Sequence, residues 1–225
     1  GTIIDDSVGN NTGTAINSPS WLKGIINGAL NFSNSSSQYI NFTATNDFNV
    51  SGAGNMSVSF WIYPNSSSGV PTILGKQDNW YIQQNGLKLQ ATLFDNNDNA
   101  YHNSYTTTND ILNTGTWQHI VFSYNGTGNF CGSTAFFTVN GTVMATTKTD
   151  GHAPCANMSN QAGNFKIGTH PNTTLQRYWN GGIDELGFWN RTLSASEVLE
   201  IYNGGAGTSY FANFTITNES YTSPI

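Results

Sequence analysis

Charge is what this chain has least of. Lysine and arginine number 7, aspartate and glutamate 13, and charged residues make up 9% of 225 residues, against roughly 25% in an ordinary globular domain. The net charge is −6 and no basic run offsets it, which argues against nucleic acid and anionic membranes as partners. Long apolar runs are missing too. No stretch approaches the ~18 consecutive apolar residues of a membrane span, so no membrane insertion is expected. No signal peptide precedes Gly1, and the chain reads as a mature or excised sequence. Cysteine is confined to Cys131 and Cys155, without the C-x-x-C or nearby histidine pair of a metal or redox site. Nor is there an H-E-x-x-H, G-x-S-x-G or P-loop, and His102, His119, His152 and His170 are scattered. Sequence motifs give no support to an enzyme.

Asparagine, serine, threonine and glycine take the place of charge. They generate 14 N-x-S/T sequons, at Asn10, Asn31, Asn34, Asn41, Asn49, Asn55, Asn65, Asn125, Asn140, Asn157, Asn172, Asn190, Asn213 and Asn218. Such density, with scarce lysine and arginine, points to a glycosylated protein outside the cell or on its surface. With 37% hydrophobic and 13% aromatic residues, the chain has the material for one large β-sandwich core. Short alternating runs such as Met56–Tyr63, Lys88–Phe94 and Trp117–Tyr124 recur between Gly/Asn/Ser turns, which indicates many strands in two sheets. Thr142–Thr147 reads as one further strand. Asn140-Gly141 between two strand-like runs is a hairpin signal. Cys131 and Cys155 flank that hairpin, within reach of a disulfide in an oxidising compartment.

Residues 181–202, GGIDELGFWNRTLSASEVLEIY, are the most specific stretch. A strand carrying Ile183, Leu186 and Phe188 runs into a short amphipathic helix. Ser194 and Glu197 form an S-x-x-E capping box at its start, and Val198, Leu199 and Tyr202 are its expected buried side. This ending resembles that of the laminin-G-like, concanavalin A-like domains. Other landmarks follow in family order: Asp6-Ser7-Val8-Gly9-Asn10, Gly28-Ala29-Leu30-Asn31-Phe32, Ser57–Ile62, Trp117-Gln118-His119-Ile120-Val121, Val139-Asn140-Gly141 and Ile167-Gly168. The resemblance covers about residues 5–204. It implies an all-β, two-sheet antiparallel jelly roll with one short C-terminal helix, over residues 1–207, followed by a strand-like tail at 208–225. Family members open with a hydrophobic strand, and here only Gly1–Ile4 precede the Asp6 loop. The tail, alternating over residues 211–217, is a candidate to fill that gap in its own or another subunit, or to link to or begin a further domain.

The resemblance also implies a structural calcium site, mapped onto Asp6 and Asn11 facing Asp184. Sugar recognition calls for an aromatic platform beside planar polar groups, and the aromatic candidates off the obvious core pattern are Trp80, Tyr101, His102, Tyr105 and Tyr178. Glucanases of this sandwich type align alternate carboxylates in E-x-D-x-x-E; the neighbouring Asp184 and Glu185 point to opposite faces of a strand and do not form that pair. The expectation is therefore a non-catalytic secreted glycoprotein module that binds an extracellular glycan or surface protein. The alternative is a structural subunit of an extracellular filament or surface layer, a polymer of copies of this chain joined by strand exchange.

Overall fold

The computed structural model describes residues 3–5, 11–45, 47–50, 54–95, 102–126, 130–149, 158–159, 161–172, 174 and 176–204. The first strands are β1 (Ile3–Asp5), β2 (Thr12–Ile16), β3 (Ser20–Lys23), β4 (Gly28–Phe32), β5 (Tyr39–Thr45), β6 (Met56–Pro64), β7 (Thr72–Lys76) and β8 (Trp80–Asn85). They continue as β9 (Lys88–Phe94), β10 (His102–Thr107), β11 (Gln118–Asn125), β12 (Thr134–Val139), β13 (Thr142–Met144), β14 (Thr146–Thr149), β15 (Gly163–Ile167) and β16 (Gly181–Trp189). A 3-10 turn at Asn34–Ser36 follows β4, and one α-helix, α1 (Ala195–Tyr202), follows β16. Among the described residues the strands form a nine-stranded sheet, β1-β2-β5-β15-β7-β8-β9-β10-β14, and a seven-stranded sheet, β13-β12-β11-β6-β16-β4-β3, with antiparallel pairing throughout. This is the two-sheet jelly roll expected from the sequence.

Alternation explains the layers. In β6, Met56, Val58, Phe60 and Ile62 are fully buried, while Ser57, Ser59, Trp61 and Tyr63 take the other face. Their inward partners include Ile120 and Phe122 of β11 and Ile183 of β16. The facing sheet contributes Phe42, Trp80, Ile82 and Phe165, and one continuous core fills the space between the sheets. Burial of each such side chain stabilises the fold by roughly 1.5–3 kcal/mol.

Four local features depart from the sequence reading. The opening strand is present as β1, paired with β2 through Ile3↔Thr14 and Asp5↔Thr12, so the jelly roll does not lack it. The tail at 208–225 lies outside the described residues. Thr142–Thr147 is two strands, since the chain leaves β12 at Ala145 and β14 joins β10 in the other sheet. Thr108 holds that corner by donating its backbone N–H to the Ala145 carbonyl, at 2.9 Å.

The remaining two concern the C-terminal stretch. Ile183 and Leu186 are an odd number of residues apart, so both face inward only because β16 bulges. The register with β6 shifts between Asp184 and Gly187, with Glu185 at φ 47°, which places one extra residue on the β16 side. The capping box forms as read: Ser194 N–H donates to Glu197 Oε2 at 2.8 Å, and Glu197 N–H to Ser194 Oγ at 3.3 Å. Arg191 adds two bonds to the same carboxylate. Val198 is buried, but Leu199 is 46% exposed. Ile201 takes its place against the cluster of Val121, Trp189, Leu193 and Val198.

Candidate binding cleft

Among the described residues, Trp80 and Tyr105 do not join the predicted aromatic platform. Trp80 is 1% exposed; its Nε1–H donates to the Phe48 carbonyl at 2.9 Å and its ring stacks on Phe188 at 6.0 Å. Tyr105 is 2% exposed and its hydroxyl bonds Ser133. Both are core residues, placed there by the inward phase of β8 and β10. His102 is exposed at the start of β10, 5.9 Å from the Phe94 ring. Tyr101 lies outside the described residues, as do Asp6, Cys155, Asn10, Asn157, Asn213 and Asn218. Cys131 is disulfide-bonded.

Asp184 does not present itself to a cation. It is fully buried, and its Oδ2 accepts from the backbone N–H groups of Ile25 at 2.8 Å and Ile26 at 3.4 Å. Its Oδ1 accepts from the Glu185 N–H at 3.0 Å. Backbone hydrogens therefore occupy lone pairs on both oxygens that a cation would need. Burial raises its pKa to about 6, against the pull of those three amides. Its work is to tie the turn between β3 and β4 onto β16; Asp6, the carboxylate expected to face it, lies outside the described residues. Asn11, its expected co-ligand, stands at the start of β2 in the other sheet. Among the described residues no group of three or more His, Cys, Asp or Glu side chains is arranged to hold a metal.

Among the described candidates, Tyr178 lies on the wall of a cavity. It lines a cleft of ≈ 340 Å³ with Asn34, Ser66, Gln84, Arg177 and Asn180 among its walls. Four chain segments line this cleft, Asn34, residues 66–71, Gln84 and residues 176–180, and backbone hydrogen bonds fix the last three to one another. Asn65 N–H donates to Asn180 O at 3.0 Å, Thr72 N–H to Arg177 O at 2.9 Å, and Gln84 N–H to Pro71 O at 3.0 Å. The Gln84 side chain braces the floor by donating to the carbonyls of Ser66 at 3.0 Å and Gly86 at 2.8 Å. Glycine is required at 181: its φ is 145°, and a Cβ there would lie 2.1 Å from the Tyr63 carbonyl oxygen. That close approach lets residues 176–180 lie against residue 65.

The polar groups of the cleft are held in position. Arg177 Nη1 donates to Gln83 Oε1 at 2.9 Å, and Gln83 Nε2 donates to Gln90 Oε1 at 2.6 Å, a chain that crosses β8 to β9. The Tyr178 ring sits 6.2 Å from that of Tyr39, inclined at 35°, and is half-buried. Lys166 Nζ lies 5.5 Å from the Tyr39 ring centre. His170, close to Arg177, is pushed down to about 4, first by burial and then by the Arg177 charge, so it is neutral at physiological pH. Its ring lies 4.5 Å from that of Tyr81. From there Tyr81, Phe94 and His102 run across the outer face of the nine-stranded sheet at spacings of 5.9 Å.

Of the residues lining this cleft, the sequence reading singles out Tyr178 and passes over Arg177 and Gln84. The available signal was scarcity: the chain has two arginines, and one stands immediately before Tyr178.

Comparison with known proteins agrees with this architecture. The binding domain of botulinum neurotoxin serotype G superposes with a TM-score of 0.65 at 21% identity, over 88% of this chain and 47% of that one. The binding domain of Paraclostridial Mosquitocidal Protein 1 gives 0.67 at 14% identity, over 90% and 51%. The chain thus spans about half the length of these toxin structures. Domain 4 of AbnA, a GH43 extracellular arabinanase from Geobacillus stearothermophilus, was solved in complex with arabinotriose and gives 0.55 at 20% identity, over 86% and 88%. At these identities the likeness is one of fold. No curated protein sequence matches the chain. The laminin G-like family model described as the concanavalin A-like lectin/glucanases superfamily matches residues 32–199, and the chain belongs to that superfamily.

Proposed function

We propose that this chain is a non-catalytic, extracellular carbohydrate-binding module that holds its glycan in the cleft at Tyr178. The observation that carries this reading is the half-buried tyrosine ring in a cleft whose walls also carry the planar side chains of Arg177, anchored on Gln83, and of Asn180. An aromatic face packs against sugar C–H groups while amides and guanidinium reach hydroxyls. Glycoside hydrolysis uses two carboxyl groups flanking the bond, and none of the described residues lining the cleft is acidic. The arabinotriose complex of the AbnA domain supports a carbohydrate ligand on this fold, although fold alone selects no ligand.

An extracellular site of action accords with the sequons. Asn65, Asn140 and Asn190 are exposed and are the proposed glycan acceptors among the described residues; Asn34, also exposed, lines the cleft and is left to the ligand. It also accords with a disulfide at Cys131, for which Cys155 is the other cysteine of the chain.

A glycan array probed with the wild type and with Tyr178→Ala tests the reading. The expected result is binding that falls about tenfold, ~1.4 kcal/mol, in the variant, with an unchanged melting temperature. Equal binding by the variant, or no glycan bound by the wild type, would overturn it.

A further inference from the structure

The two arginines of the chain are used differently. Arg191 is paired with Glu197 through bonds of 2.9 and 2.6 Å, so its charge is met by a carboxylate. Arg177 meets the neutral amide of Gln83. A guanidinium carries five N–H donors in a rigid fork; the bond to Gln83 engages one of them and sets the plane of the rest. The described walls of the cleft around it are neutral, with no acidic residue. A second cation, Lys166, lies over the ring of Tyr39, the neighbour of Tyr178. In a molecule of net charge −6, Arg177 thus puts a positive charge on the wall of the cleft.

A half-buried cation without a counter-charge loses hydration that a hydroxyl repays poorly and an anion repays well, in the bidentate geometry that suits arginine. We infer that the glycan bound in this cleft carries an anionic group, a uronate carboxylate or a sulfate ester, seated on Arg177. This rests on the carbohydrate-binding reading and narrows it. The overall negative charge repels polyanions at long range, so the preference arises from the local fork and favours a single acidic residue over a dense polyanion.

The test is binding to matched oligosaccharide pairs on an array, followed by titration calorimetry: uronate oligosaccharides against their methyl esters, and sulfated oligosaccharides against desulfated forms. An acidic member of at least one pair is expected to bind about tenfold more tightly than its neutral twin, ~1.4 kcal/mol. Whether the uronate or the sulfated series shows the difference identifies the anion. Arg177→Gln should erase the difference and Arg177→Lys retain part of it. Gln83→Leu, which keeps the charge and releases its orientation, should weaken acidic ligands alone and provides a second variant if Arg177→Gln does not fold. Equal affinity for acidic and neutral twins, or a preference that survives in Arg177→Gln, overturns the anionic ligand and leaves carbohydrate binding standing. Binding of neither twin in any pair overturns both.

Discussion

The two outer faces of the sandwich carry similar residues and receive different treatment. On the seven-stranded sheet, α1 lies over Val121 and Trp189. Tyr202 stacks on Trp61 at 5.7 Å and on His119 at 5.8 Å. Under that cover His119 is fully buried, bonded to Ser59 Oγ at 2.7 Å, and held down to about 4 by burial. On the nine-stranded sheet, Tyr81 and Phe94 are half-buried and His102 is exposed. There the segment before β16 leaves a cleft at Tyr178 instead of sealing it. An outward aromatic residue is thus accounted for by its cover where one exists. Where none does, it is available to a ligand.

This contrast is open to challenge by mutation. The largest effect is expected on the covered face: Trp189→Ala should cost about 3–5 kcal/mol, as large buried aromatics do, read as a fall in denaturation midpoint with an unchanged m-value. On the open side, Tyr178→Ala should lose about tenfold in glycan affinity while leaving the midpoint within error; a comparable loss of stability would make Tyr178 a packing residue like Trp189. Ser194→Ala removes the hydroxyl half of the capping box and should cost about 1 kcal/mol. Phe94→Ala, on the open face, should cost less than Trp189→Ala by several-fold; equal costs would erase the distinction between the faces.

Acid titration sharpens the comparison further. Burial holds the folded-state pKa of His119 below the ordinary histidine value of 6.5, so the native state resists protonation and stability falls as pH drops from 6.5 towards 4. Asp184 is shifted upward, so the native state holds its proton more firmly and the associated stability is lost as pH rises from 3.8 through about 6. In a pH series of melting temperatures, His119→Asn should flatten the first slope and Asp184→Asn the second, in opposite directions.

Much of the fold was legible because it is written locally. The capping box needs two residues three apart, and the Asn140-Gly141 hairpin needs two adjacent ones, with φ of 48° and 79°. Trp80 was legible too, though it was read otherwise: it shares the inward phase of Ile82, and both are buried. Tyr105 was harder, because β10, HNSYTT, offers little apolar alternation to set its phase. The cleft is a different kind of object. Asn34, Ser66, Gln84 and Arg177 meet because β5, β15, β7 and β8 are neighbours in one sheet, an adjacency that crosses long sequence separations and leaves no periodic trace. The bulge at Glu185 likewise shows only as an odd spacing between Ile183 and Leu186.

The most direct measurement is a nitrogen-15 heteronuclear NMR titration of the assigned protein with an oligosaccharide selected on the array. Saturable shifts centred on Gln84, Arg177, Tyr178 and Asn180, absent from Tyr178→Ala, are the predicted result. Shifts centred on the α1-covered face, or none within the cleft at saturation, would contradict the placement of function there.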